Sequence, residues 1–238
     1  IDGGDGDDTI YGGDNNDTLT GGAGDDILYG EGGWDTFIVS EGSDTFDGGS
    51  GTEDHADYSS LSAAEFITVV MNGSSAGTVA VNGGSTDTIL NIERITATGG
   101  NDTLTVDDQD NIIDMGAGDD YVYAAGGDDE IDGGSGIDTI DFSTSTSSVS
   151  LNYSGTSFAN YGSGEADIVS DFEIFIGTDY GDSLRSDSST TLEIYGGAGN
   201  DDIWMHNDNG IVYAGTGNDV IDVSRGSNAN GIVVYGEE

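Results

Sequence analysis

The chain has 238 residues and a net charge of −44, with 47 Asp and Glu against 3 Lys and Arg, 42 Gly, no Pro and no Cys. That charge argues against nucleic acid and anionic membrane surfaces as partners, since phosphate would be repelled. The absence of cysteine rules out disulfides, and no apolar run is long enough to span a bilayer. So acidic and glycine-rich a chain reads either as disordered or as one whose folding is conditional on bound cations. A regularly placed aliphatic residue at every ninth position decides for the second, and the richness in Asp and Gly favours turns over helices.

Gly3–Tyr29 holds three nonapeptides in one frame, GGDGDDTIY, GGDNNDTLT and GGAGDDILY. The sixth position carries Asp8, Asp17, Asp26, Asp35 and Asp44, and the eighth carries Ile10, Leu19, Leu28, Phe37 and Phe46. A turn with one extra residue, ending at Asp54, closes a first array over residues 1–56. Residues 57–92 form a connector rich in Ser, Thr and Val. Phe66–Met71 and Thr78–Val81 there read as strands, with Asn-Gly turns at Asn72-Gly73 and Asn82-Gly83. The frame returns at Glu93 and runs through Asp102, Asn111, Asp120, Asp129 and Asp138, a second array over 93–141. A second connector, 142–174, carries the strand-like Val149–Tyr153. A third array, 175–238, keeps Asp182, Asp201 and Asp219 but holds Thr191 and Gly210 in the slots between. Asp167–Leu184 aligns without gaps on Asp87–Leu104, so a larger repeat of array plus connector lies over the nonapeptide. The chain starts and stops inside a repeat, as expected of a segment of a longer protein.

A six-residue turn and a three-residue strand reverse the chain every nine residues. Two nonapeptides then make one coil, and the coils build two parallel sheets back to back, an all-β parallel β-roll (β-solenoid). The eighth position points inward and the seventh and ninth outward. Wound throughout, about 13 coils would span roughly 60 Å. Glycines allow positive φ in the turns. Asp at position six repeats a carboxylate at about 4.8 Å spacing along each edge, which repels unless a cation intervenes. Carboxylate and carbonyl oxygen without Cys or His is a hard-oxygen site and selects Ca²⁺ over Mg²⁺.

The pattern GGxGxDxUx resembles the RTX (repeats-in-toxin, haemolysin-type) calcium-binding repeat. The resemblance implies export by a one-step type I route, folding outside the cell when calcium is met, and an extracellular or cell-surface location. It implies metal ligation by Asp8, Asp17, Asp26, Asp35, Asp44, Asp54, Asp102, Asp120, Asp129, Asp138, Asp182, Asp201 and Asp219. Carbonyls of turn glycines would complete the shells, among them Gly4, Gly6, Gly22, Gly24, Gly116, Gly118, Gly134, Gly136, Gly197, Gly199, Gly215 and Gly217. One ion for each adjacent pair of well-stocked turns gives about 6–12 Ca²⁺. Asp8, Asp26 and Asp44 share one edge, and Asp17, Asp35 and Asp54 the other. Asp102, Asp120 and Asp138 form a full edge beside a weaker one of Glu93, Asn111 and Asp129. One edge is thus expected to thin progressively toward the C-terminus.

Signs of catalysis are weak. Gly73–Gly77 spells G-x-S-x-G, but it lies between short strands without the helix and histidine that a nucleophile elbow needs. His55 and His206 have no partner at zinc spacing. Outward threonines at Thr9, Thr18, Thr36 and Thr45 fall on two sheets, and β-propensity accounts for them better than ice binding does. Outward aromatics are a possible contact surface: Tyr195 and Tyr213 on one sheet, with Trp204 and Tyr123 placed on the other. The expected function is a non-enzymatic calcium-binding segment of a secreted or surface bacterial protein, such as a surface layer, filament or adhesin, with self-association or another extracellular protein as partner. The alternative is the calcium-dependent secretion and folding module of an exoenzyme whose catalytic domain lies outside these residues.

Overall fold

The computed structural model describes residues 1–153, 157–161, 166–186, 191–205, 209–223 and 231–236. The described residues contain strands and turns and no helix. Outside two detours, successive strands alternate between two sheets, each of 13 strands among the described residues. One sheet begins with Asp2–Asp5 and the other with Thr9–Asp14; they are called here the first and second sheets.

Within the arrays every pairing is parallel, and most carry the eighteen-residue offset of one coil. Ile10 lies beside Leu28, Leu19 beside Phe37, and Leu104 beside Val122. Strand alternation turns one residue in three inward. Thr36–Ile38, Thr45–Asp47, Thr103–Thr105 and Tyr121–Tyr123 each bury their middle residue and leave the flanking two half-exposed. The buried residues make one continuous cluster along the roll. Phe37 and Phe46 close it from the two sheets with ring centroids 5.3 Å apart.

Turn glycines meet a steric limit set by this stacking. At Gly217, with φ of 146°, an added Cβ would stand 1.4 Å from the Gly199 carbonyl oxygen of the neighbouring coil. A side chain fits neither the backbone angle nor the space.

Both connectors are spliced into the sheets. In the first, Thr45–Asp47 pairs in parallel with Thr86–Leu90, which pairs antiparallel with Gly77–Val81. That strand pairs antiparallel with Ile67–Val70, which rejoins the roll in parallel with Thr103–Thr105. On the opposite sheet His55–Asp57 simply pairs with Arg94–Thr96. The detour therefore adds two strands to the second sheet alone. The second connector does the same to the first sheet: Glu130–Asp132, Ala166–Ser170, Ser157–Tyr161, Val149–Tyr153 and Ser183–Ser186 lie side by side. Across from it Thr139–Asp141 pairs directly with Ile174–Ile176. The two detours offset each other, and the sheets end equal in strand number. This corrects the expected coil count: the roll has about 11 coils rather than 13, because two strands of each sheet belong to detours.

The expected strands at 66–71, 78–81 and 149–153 are present as Ile67–Val70, Gly77–Val81 and Val149–Tyr153. Leu104 is fully buried in the ladder. Leu104→Ala should lower stability by about 2–5 kcal/mol, the range for a leucine cavity in a close-packed core. Urea unfolding at saturating calcium would check this; a loss under about 1 kcal/mol would mean that the ladder is not close-packed.

Candidate metal centre

Most turns deliver one carboxylate to the same place. The backbone N–H of a sixth-position residue donates to Oδ1 of the sixth-position Asp one coil further on. Asp8 donates to Asp26 at 2.7 Å, Asp26 to Asp44 at 3.0 Å, and Asp44 to Asp87 at 3.0 Å. On the other edge Asp17 donates to Asp35, Asp35 to Asp54, and Asp54 to Oε2 of Glu93. Ile67 N–H starts a third ladder through Asp102, Asp120 and Asp138 to Glu173. Asn111, Asp129 and Asp167 make a fourth, and Val149, Asp182, Asp201 and Asp219 a fifth. The thirteen expected aspartates thus all stand in ladders.

Except in Asp8 and Asp17, which open their rows as donors, Oδ1 is fixed by this hydrogen bond, and Oδ2 is left. In Asp8, Asp26, Asp35, Asp54, Asp120, Asp129, Asp138 and Asp201 it is buried with no hydrogen-bond partner. The first glycine of the turn makes room for it: a Cβ on Gly21 would stand 2.0 Å from Asp26 Oδ2. A buried carboxylate oxygen without a donor is costly, and a cation is what would satisfy it. Other turns meet the need with a protein group. Ser40 Oγ donates to Asp44, the Tyr58 hydroxyl to Asp87, and the N–H and Oγ1 of Thr98 and of Thr178 to Asp102 and Asp182.

Among the described residues no three Asp, Glu, His or Cys side chains gather where they could hold a metal ion. With one carboxylate per turn, a calcium shell of six to eight oxygens has to be completed by main-chain oxygen. Of the glycines expected to supply it, Gly4, Gly6, Gly22, Gly24, Gly116, Gly118, Gly134, Gly197, Gly199, Gly215 and Gly217 have positive φ; Gly136 does not. The carbonyls of Gly22, Gly116 and Gly197 already accept an N–H from the next coil, which leaves each one lone pair.

Sequence reasoning missed two kinds of residue. Asp87 and Asp167 occupy sixth positions inside what reads as connector. The signal was present: Asp87-Thr88-Ile89 repeats Asp138-Thr139-Ile140, and the two acids are partners in the 80-residue alignment. Position five also matters. There the N–H of the later coil donates back to Asp or Asn one coil earlier: Asp25 to Asp7, Ser43 to Asp25, Asp119 to Asn101, Ile137 to Asp119, and Asn218 to Asn200. Adjacent positions therefore bond in opposite directions along the axis, which locks the coil spacing from both sides.

Two expectations about sides are corrected. The depleted edge does not thin steadily; it changes side. Glu93, Asn111 and Asp129 lead into first-sheet strands, whereas Thr191 and Gly210 lead into second-sheet strands. Likewise Tyr123 lies on the second sheet with Tyr195 and Tyr213, and Trp204 on the first. Nine-residue counting loses its phase across the second connector, where three strands enter one sheet. Tyr195 and Tyr213 stack at 4.6 Å, and Tyr235, missed in the sequence, extends the row at 4.9 Å. Arg185 lies over the Trp204 ring at 4.9 Å.

The G-x-S-x-G stretch forms the turn between two antiparallel strands, with no elbow geometry. His55 bonds Thr96 Oγ1 at 2.9 Å, and burial lowers its pKa. His206 lies outside the described residues.

The RTX calcium-binding nonapeptide repeat model matches residues 2–36, 29–53, 91–122, 116–140, 193–212 and 206–228, more than half of the chain. The chain belongs to the RTX calcium-binding repeat family. The unmatched stretches, 54–90 and 141–192, contain both detours. No curated protein matches the chain. As an RTX repeat protein it is a calcium-binding protein of that type.

Burial pushes the carboxyls of Asp54, Asp87, Asp138 and Asp201 up to about 6, Asp120 to about 7 and Asp129 to about 8. The main-chain hydrogen bond to each pulls back, and acids in adjacent turns add to the rise. Values above the ordinary 3.8 mean that the folded chain binds more protons than the unfolded one. The stability of the metal-free roll is then greatest in acid and falls as pH rises from about 4 to about 8. In excess chelator, circular dichroism should show more β-structure at pH 5 than at pH 8; more at pH 8 would contradict the burial argument.

Proposed function

We propose that this RTX chain is a calcium-gated structural segment of a secreted or surface bacterial protein, without catalysis of its own. The observation that carries the reading is the row of buried, unpartnered Oδ2 atoms along both edges. Repulsion among 47 acids, with only 3 basic residues to answer it, keeps the chain open where calcium is scarce and suits it to export unfolded. Bound calcium would supply the positive charge that the stacked oxygens require, at a load of about 6–12 ions. The ligands proposed are the sixth-position aspartates with turn carbonyls. The aliphatic ladder then closes, and folding and binding become one event.

Two measurements test this. Circular dichroism should show β-structure at millimolar calcium and its loss in excess EGTA at neutral pH; an unchanged spectrum defeats the proposal. The segment's proposed role within it is assembly, since solenoids of stacked strands associate through open surfaces. Light scattering should show larger species with calcium than without. A monomer under both conditions would remove the assembly role and leave the calcium gate standing.

A further inference from the structure

The sixth-position acids divide into two sets by what meets Oδ2. In Asp26, Asp120 and Asp201 that oxygen is buried and bare. In Asp44, Asp87, Asp102 and Asp182 a protein donor already holds it; at Asp44 the donor, Ser40, is only partly buried, whereas at the other three it is buried. Tyr58 is fully buried, and its hydroxyl donates to Asp87 Oδ2 at 2.9 Å. Thr98, itself 3% exposed, donates its N–H to Asp102 Oδ2 at 2.8 Å and brings Oγ1 within 3.0 Å of both oxygens. Thr178, 1% exposed, donates its N–H to Asp182 Oδ2 at 2.6 Å and its Oγ1 hydroxyl to Oδ1 at 2.9 Å. Oδ1 of each of these three acids is also taken by a main-chain N–H, from Asp44, Ile67 and Val149 respectively.

These three acids share a location. Asp102 and Asp182 receive their Oδ1 bond from the first residues of detour strands, Ile67 and Val149. Asp87 lies in the detour strand that rejoins the first array beside Thr45–Asp47. Each therefore sits where a regular turn meets an inserted strand and no second regular turn completes the stack. Thr98 and Thr178 stand in the second position of their turns, which Gly22 and Gly197 hold in the regular ones. A hydroxyl there reaches the carboxylate; a glycine cannot. Tyr58 serves from a different place, and Phe142, its equivalent at the second join, has no hydroxyl to give.

We infer that Asp87, Asp102 and Asp182 take no calcium, and that Tyr58, Thr98 and Thr178 do the work of an ion at the joins between arrays and detours. This rests on the calcium-binding reading above and divides its ligands. The joins are pinned by hydrogen bonds that are independent of calcium, while the arrays between them depend on it. Each oxygen of these carboxylates already accepts from a protein donor, so an ion would have to share or displace those bonds and has less desolvation cost to relieve than at a bare Oδ2.

Native mass spectrometry of the full chain at saturating calcium counts the ions. Asp26→Asn, Asp120→Asn and Asp201→Asn should each lower the count by at least one. Asp87→Asn, Asp102→Asn and Asp182→Asn should leave it unchanged; a lower count in any of these three overturns the assignment for that residue. Wild type that holds no calcium at all would instead defeat the proposed function. Should an Asn variant fail to fold, Tyr58→Phe and Thr98→Val decide the matter, since both leave every carboxylate in place: the first removes one hydroxyl donor, the second a hydroxyl that also accepts the Gly100 N–H. The calcium dependence of the urea midpoint reports the ions released on unfolding. Both variants should shift the midpoint down equally at every calcium concentration. A shallower calcium dependence would place the hydroxyl in an ion site and overturn the inference.

Discussion

The fold depends on one hydrogen bond, repeated along both edges: a main-chain N–H at position six donates to the carboxylate one coil on. The bond does two things at once. It fixes the spacing between coils, and it orients each carboxylate so that one oxygen is satisfied and the other is trapped. Without it the aspartates would be a field of solvated like charges. With it they form ordered rows whose bare oxygens lie out of water. The aliphatic ladder and the carboxylate rows are then tied together, because the same coil spacing serves both.

That arrangement accounts for the conditional character of the chain. Each nonapeptide buries its eighth residue and in several turns the residue two further on, as Leu104 with Val106 and Ile113 with Met115, which is still a thin core. Such a core has little to set against the desolvation of the acids. The raised carboxyl values express the same conflict, since burial opposes charge at Asp120 and Asp129. Either a proton or a cation can relieve it. The first-position glycines belong to this chemistry as much as to the turn, because they leave the space into which Oδ2 is turned.

The two detours show how a solenoid accepts an insertion without losing register. Each brings three strands into a sheet where one would do, and the surplus of two is carried by one sheet only. A single detour would leave the sheets unequal. Six strands separate Thr86–Leu90 from Val149–Tyr153, and because they alternate between the sheets the second detour falls on the opposite sheet. Equal strand number is thereby restored.

The nonapeptide frame by itself determined the roll, the inward residues and the thirteen sixth-position acids, because those depend only on a fixed spacing that repeats. It also placed Tyr195 and Tyr213 on one sheet, which needs no more than a count of eighteen. Other features were beyond it. Asp87 and Asp167 were hidden because they join the rows through partners 43 and 38 residues away rather than one coil away. The side on which Tyr123 and the depleted edge lie depends on how many strands a detour places in one sheet, a matter of hydrogen-bond topology that no local pattern records. Which aspartates keep a bare oxygen was not read from the frame, because spacing alone treats every sixth position alike. Asp102 and Asp120 both stand at position six, yet Thr98, four residues earlier where the second turn has Gly116, satisfies the first, and nothing donates to Oδ2 of the second. Spacing sets where a carboxylate goes; only the packed neighbours set what it still lacks.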